Sequence, residues 1–238
     1  MAEEPHQAFP YRAPGFVLRA TYDRFPKDAN FHNERVCKRL FDLVLSLALS
    51  ICIIPLGITI YIAQTLIGLI CSDQRGPIIV SYEAVSRARI FKKYKFRTVR
   101  VDAIDPAAAA KQRWHAYSGE WNSKDLTVIG RLLKATYFDE LPQLFNVIVG
   151  DMSMVGPRPL ACHHYERDVA QGNVFRCHTK AGLFGPSQAL KGSPEFGRPD
   201  EEFEYSAFLR DASSLAILLN DIRLMSKGVK VVLQAKGL

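Results

Sequence analysis

Apolar residues at Val36, Leu40, Leu43, Val44 and Leu47 recur every three to four positions, the spacing of one helical face. The run then becomes apolar all round, and Leu43 to Ser72 contains no charged residue. Leu43 to Ala63 is 21 residues, about 31 Å as a helix and enough for a hydrocarbon core of roughly 30 Å. Arg35, Lys38 and Arg39 precede this segment, and Arg75, Arg87, Arg89, Lys92, Lys93 and Lys95 follow it, so both ends read as cytoplasmic. Pro55 sits near the middle, where it removes a backbone donor and clashes with the carbonyl of Ile51. Ser46 and Ser50 can bond nearby carbonyls and relieve that cost. The pattern predicts a re-entrant helix-break-helix over residues 35–72 with its membrane break at Pro55; the alternative is a kinked spanning helix.

The remaining periodicities are shorter. Ile78 to Tyr82 predicts a strand, Ile90 to Val99 a basic strand or turn, and Leu126 to Lys134 and Leu141 to Val149 predict helices. Leu215 to Leu233 mixes apolar and basic positions, which suits an interfacial amphipathic helix or a core helix with one solvated face. Residues 1–34 carry Pro5, Pro10, Pro14 and Pro26 without a helical period and read as a flexible arm, not a signal peptide. The expected class is α+β, mostly helical. It comprises the arm, the re-entrant helix, and a small cytosolic catalytic domain over residues 73–238 with short strands and a C-terminal amphipathic helix.

Charge narrows the partners without choosing among them. Lys plus Arg total 31 against 24 Asp plus Glu, a net charge of +7, while 48% of residues are hydrophobic. A folded basic protein of this kind meets anionic lipids, phosphorylated substrates or nucleic acid. Nucleic acid ranks last because no docking element is recognisable around Arg87 to Arg100. Five cysteines without a CxxC spacing indicate neither a disulfide framework nor a zinc site, and the histidines lack a metal-ligand spacing.

The chemistry concentrates between Thr136 and Gly150, TYFDELPQLFNVIVG. Leu141, Leu144, Phe145 and Ile148 form one face, Gly150 is placed to stop the helix, and Pro142 must lie in its first turn. Asp139 then falls at or beside the N-cap, where it is either a plain cap or an ionised nucleophile able to form an acyl-phosphate. On a helix Glu140 would point roughly 100° away, suggesting a separate role in holding Mg²⁺ or accepting a proton. Gly156-Pro157-Arg158-Pro159 is a stiff loop presenting one guanidinium, suited to phosphate or serving only as a turn. Lys93, Lys95 and Arg97 alternate with Tyr94 and Phe96, which in a strand places the cations on one face.

These residues reach a recognisable pattern. KRLFDLVLSLAL from Lys38, GPIIVSYEAVSRARIFKKYKFRTV from Gly76 and LTVIGRLLKATYFDELPQLFNVIVGDMSMVGPRP from Leu126 together resemble the bacterial sugar transferases, the monotopic phosphoglycosyl transferases that start surface polysaccharide assembly. The resemblance implies transfer of a phosphosugar from a nucleotide diphosphate sugar to polyprenyl (undecaprenyl) phosphate, through a covalent aspartyl intermediate and with Mg²⁺. It implies Asp139 as nucleophile, Glu140 as its acidic partner and metal ligand, and Arg158, Lys95, Arg97 and Gln188 as phosphate or substrate contacts. It also implies a bacterial cytoplasmic membrane location with the catalytic domain facing the cytoplasm, and is compatible with a homodimer. Two departures stand out. The family's Ser-Pro break is Ile54-Pro55 here, and the family stretch RPGITGWxQVxGR reads KAGLFGPSQALKGS, without the tryptophan and final arginine. The competing reading is a catalytically silent membrane-bound scaffold.

Overall fold

The computed structural model describes residues 15–17, 35–104, 122–187 and 199–233. The expected arm and Gln188 therefore fall outside the described residues, apart from residues 15–17 of the former. Helix α1 (Val36–Ile70) is 35 residues long, about 52 Å at 1.5 Å per residue. It runs through Pro55 without interruption, so the expected helix-break-helix is not what the fold builds. A proline deletes only one donor, and helix neighbours can absorb that loss. The Thr59 hydroxyl donates to the Pro55 carbonyl at 2.9 Å. Leu49 and Ile53 on one side of the proline, and Leu56 and Ile60 on the other, pack into clusters of the same domain.

Both ends of α1 are tied to that domain. Near the start, Arg39 donates to the Val147 and Ile148 carbonyls, both at 2.6 Å. One turn on, buried Asp42 accepts from the Ser153 hydroxyl at 2.7 Å and the Met154 amide at 3.1 Å. Near the end, Gln64 donates to the Arg97 carbonyl at 3.2 Å, and Arg75 donates to the Gly68 carbonyl at 2.8 Å. A helix held this way lies along the domain and does not project from it. Its buried stripe is partly polar (Asp42, Ser46, Gln64), while Val44, Ile51, Ile54, Ile58, Leu66 and Leu69 are exposed. This inverts the usual soluble pattern, and so large a bare apolar face marks an interaction with membrane or another apolar phase.

The sheets are small. Strands β1 (Ile79–Ser86) and β2 (Arg89–Phe96) form an antiparallel hairpin, with Ser86 opposite Arg89. Its two-residue turn, Arg87-Ala88, has φ of 50° and 59°, the conformation that matches strand twist. Helices α2 (Val128–Thr136) and α3 (Gln143–Val149) follow, and Gly150 at φ 94° ends α3 as its position predicts. Strand β3 (Ser153–Val155) leads to β4 (Leu160–Ala161), which adds antiparallel to β1. Short helices α4 (Cys162–Ala170) and α5 (Phe175–His178) lead to β5 (Gly182–Phe184), parallel to β3. Helices α6 (Asp200–Asp211) and α7 (Ser214–Leu233) complete the mostly helical α+β fold.

The main core gathers Phe91, Leu144, Val147, Met152, Met154 and Tyr205, with Leu45 and Leu49 of α1 packed against it. Helix α7 packs one side into the domain and leaves apolar residues bare on the other. Ile217 and Asp221 are buried, whereas Leu215, Leu219 and Ile222 are exposed on its other side. Lys38 of α1 meets Asp221 at 2.6 Å, and the Tyr205 hydroxyl donates to Asp221 at 2.8 Å. These bonds join the first and last described helices through one buried carboxylate.

Candidate active site

The acidic pair lies in a turn of its own. Phe138–Glu140 is a single 3-10 turn that precedes α3, whose N-cap is Pro142, so Asp139 stands three residues ahead of the cap and not at it. Tyr137 opens the turn at φ 60°, a left-handed conformation that an aromatic residue seldom adopts and that nothing in the sequence signals. It ends α2 and swings the chain back so that both carboxylates face β2.

The strand alternation works as predicted for two of its three cations. Lys93 is only 1% exposed and Lys95 only 7%, so this charge run is a buried face and not a solvated one. Lys95 Nζ lies 3.0 Å from Asp139 Oδ2 and 3.4 Å from Glu140 Oε1. Lys93 Nζ lies 4.0 Å from the same Glu140 oxygen, and an Arg158 nitrogen lies 3.2 Å from it. The two carboxylates therefore share one ammonium, closer together in function than a 100° separation implies. Three cations face two carboxylates, a surplus of one positive charge.

Asn146 sets the register between strand and turn. Its side chain donates to the Lys92 carbonyl at 2.8 Å and accepts from the Tyr94 amide at 3.2 Å, one residue to either side of Lys93. The Arg158 loop is held by a buried network that sequence reasoning did not find. Arg176 bonds Asp168, donates to Glu202 at 2.6 Å and donates to the Arg158 carbonyl at 2.9 Å. Glu202 in turn accepts from the Arg158 amide at 3.3 Å and from the Ser187 hydroxyl at 3.0 Å. These partners come from three separate helices, so no local spacing could have announced them.

Arg97 does not join the site. Its guanidinium donates to the carbonyls of Pro77, Val99 and Gln74 at 2.7, 2.8 and 2.6 Å, pinning the chain on either side of the hairpin. It lies beyond the end of β2, where strand alternation no longer governs direction. Pro55 is exposed on α1.

Burial alone would raise the Glu140 pKa, but Lys93, Arg158 and Lys95 outweigh it and hold the carboxyl well below the usual carboxylate range. Glu140 in turn raises the Arg158 pKa against the effect of burial. Burial raises the Tyr137 phenol, with Arg158 acting in the opposite sense. Near neutral pH Glu140 and Arg158 are thus a fixed pair of opposite charges. Among the described residues no three acidic, histidine or cysteine side chains cluster as a metal site. Two neighbouring carboxylates nonetheless suit Mg²⁺, which habitually takes one or two carboxylates and completes its shell with substrate phosphates.

A family model described as bacterial sugar transferase matches residues 33–235, most of the chain and the whole of this site. The chain belongs to the bacterial sugar transferase family. It is 33% identical over 217 residues to an undecaprenyl-phosphate galactose phosphotransferase of Salmonella typhimurium, covering 86% of this chain and 42% of that protein. A UDP-glucose:undecaprenyl-phosphate glucose-1-phosphate transferase of Klebsiella pneumoniae is 33% identical over 156 residues, 64% of this chain and 30% of that protein. An exopolysaccharide production protein of Rhizobium leguminosarum bv. phaseoli is 35% identical over 131 residues, 55% of this chain and 58% of that protein. The matched region thus spans less than two thirds of each of these relatives. The cation-ringed acid pair of this family member lies within the matched region, as do α1 and Arg158.

Proposed function

We propose that this protein transfers a sugar 1-phosphate from a nucleotide diphosphate sugar to a polyprenyl phosphate, undecaprenyl phosphate being the acceptor that the relatives' names carry, and so initiates surface polysaccharide assembly. The observation that carries this reading is the buried Asp139–Glu140 pair ringed by Lys93, Lys95 and Arg158. A diphosphate brings the negative charge that this ring can still accept.

In the first displacement an Asp139 oxygen attacks the sugar-linked phosphorus. The new bond is aspartyl oxygen to phosphorus, and the bond that breaks joins that phosphorus to the bridging oxygen. The nucleoside monophosphate leaves with the electron pair. In the second displacement a phosphate oxygen of the acceptor attacks the same phosphorus, and the Asp139 carboxylate leaves. Neither step needs a redox partner. Lys95, already against Asp139, stabilises charge as it moves from carboxylate to phosphoryl oxygens, and Arg158 offers the planar fork suited to a phosphate. Glu140 would hold Mg²⁺, which when bound offsets charge on the diphosphate.

The bare face of α1, with both of its ends bonded to one domain, supports a monotopic attachment: residues 35–72 in the cytoplasmic leaflet of a bacterial inner membrane and residues 73–238 on its cytoplasmic side. The test is intact mass spectrometry after mixing the purified protein with UDP-glucose or UDP-galactose and Mg²⁺ without lipid acceptor. The expected result is a phosphosugar adduct mapping to Asp139 together with one equivalent of UMP. Product formed only when donor and acceptor are present together rejects the covalent route. Absence of nucleoside monophosphate release from a panel of nucleotide sugars, with acceptor present, favours the silent scaffold.

A further inference from the structure

A cavity of about 270 Å³ adjoins the acid pair. Leu49 and Ile53 of α1, Leu183 and Phe184 of β5, and Val229 of α7 wall it, and Glu140 is its one acidic lining residue among the described residues. Engineered cavities of about 150 Å³ hold a benzene molecule, so this space holds a longer stretch of hydrocarbon. Helix α7 comes close here. A Cβ on Gly228 would lie 2.5 Å from the Phe184 ring, so only glycine lets the helix backbone rest against it.

Resting on the transfer reaction proposed above, we infer that this cavity receives the phosphate-proximal isoprene units of the acceptor and aims its phosphate at Asp139. Two observations favour that occupant over the donor. Among the described residues the lining is apolar apart from Thr136, Tyr137 and Glu140, and the Thr136 hydroxyl already donates to the Leu132 carbonyl at 2.8 Å. A sugar or nucleoside seated here would bury hydroxyls without partners, which is costly, whereas an isoprenoid has none to satisfy. The walls come from α1 and α7, whose outer sides expose Ile51, Ile54, Leu219 and Ile222, so a longer tail leaving the cavity meets apolar surface. Glu140, which lines the cavity, also pairs with Arg158 at 3.2 Å and Lys95 at 3.4 Å, so a headgroup anchored here reaches cations suited to a phosphate.

The experiment separates the two half-reactions. Val229→Trp and Leu183→Phe both fill the cavity, the first from its half-exposed side. With adduct formed from donor alone, the KM for undecaprenyl phosphate in the second half-reaction should rise at least tenfold in each variant, while Ile90→Phe at the exposed start of β2 leaves it unchanged. An unaltered acceptor KM in both filling variants overturns the inference. Should wild-type protein form no adduct, the covalent reading fails and the cavity is still tested by binding. A polyprenyl phosphate with a diazirine on its first isoprene units should crosslink to the segments holding Leu49, Leu183 and Val229. Crosslinks confined to outward residues such as Ile51 and Ile58 overturn it.

Discussion

Lys95 Nζ lies 3.0 Å from Asp139 Oδ2, joining the hairpin to the acidic turn across 44 residues of sequence. Both side chains are nearly buried, so the pair is shielded from solvent and from salt. The Lys95 ammonium stands ready for the phosphoryl oxygens once the Asp139 carboxylate is esterified. Replacing Asp139 by Asn keeps the shape and removes the anionic nucleophile. Nucleotide release should fall by at least about a thousandfold, on the scale seen when a covalent nucleophile is removed. A circular dichroism spectrum matching wild type would show that the fold survives, and steady turnover by the Asn variant would reduce Asp139 to a structural residue.

Arg158→Lys should not be conservative. The guanidinium reaches Glu140 at 3.2 Å while its own main chain is clamped by Glu202 and Arg176, so the fork is aimed before substrate arrives. A lysine supplies charge without the second parallel bond. Loss of one charge-assisted hydrogen bond, about 1.5–3 kcal/mol, corresponds to roughly a ten- to hundredfold fall in kcat/KM for the nucleotide sugar. Wild-type kinetics in the Lys variant would return this loop to a simple turn.

Lys38→Met should destabilise the whole assembly. Lys38 lies 2.6 Å from Asp221 and 3.8 Å from Asp42, and both carboxylates are buried. Removing the cation leaves two buried acids beside each other, and breaking such a pair typically costs about 3–5 kcal/mol. Thermal unfolding in detergent would show a lower midpoint. A Lys38→Met, Asp221→Asn double variant should recover part of the loss, because one uncompensated charge is gone.

Both termini should lie on the same side of the membrane. With Arg39 and Gln64, near opposite ends of α1, bonded to one domain, the helix cannot cross with that domain on a single side. Single cysteines at Ala8 and Ala235, in a background without the native cysteines, should both resist an impermeant thiol reagent in intact cells. Labelling of one position alone would establish a span.

Stability should fall as pH drops from about 6.5 towards 4. Burial, with Arg167 nearby, lowers the His164 pKa to about 4, against about 6.5 in an unfolded chain. Across that window the unfolded state binds a proton that the folded state refuses, so acidification favours unfolding. His178 is lowered in the same sense by burial and then by Arg87, and adds to the slope. His164→Gln should flatten the dependence of the unfolding midpoint on pH, and His164→Gln, His178→Gln should flatten it further. An unchanged slope in the double variant would exclude both histidines as its source.

Much of the site was legible because its parts are local. Pro142 and Gly150 bracket α3 by backbone rules alone, and the apolarity of residues 43–72 is visible by inspection. The acid pair and the alternating cations were named from sequence, yet their meeting was not readable. It depends on Tyr137 turning the chain at a positive φ and on Asn146 docking α3 to β2. Neither residue type announces such a role, since the energy that enforces it comes from partners about fifty residues away.

By itself the sequence determined the apolar segment of α1, the strands β1 and β2, the helices α2, α3 and α7, and an acidic pair just ahead of a proline-started helix. These follow from backbone sterics and periodicity, which act over a few residues. Tertiary structure decided which cations belong to the acids. Lys93 and Lys95 turn inward beneath the turn, while Arg97, two residues further, is drawn to three carbonyls that only the folded chain assembles. It also carried α1 through Pro55, because packing on both sides of the proline holds the helix against one domain. Long-range charge pairing and packing outweigh a local preference when a buried group has no cheaper partner.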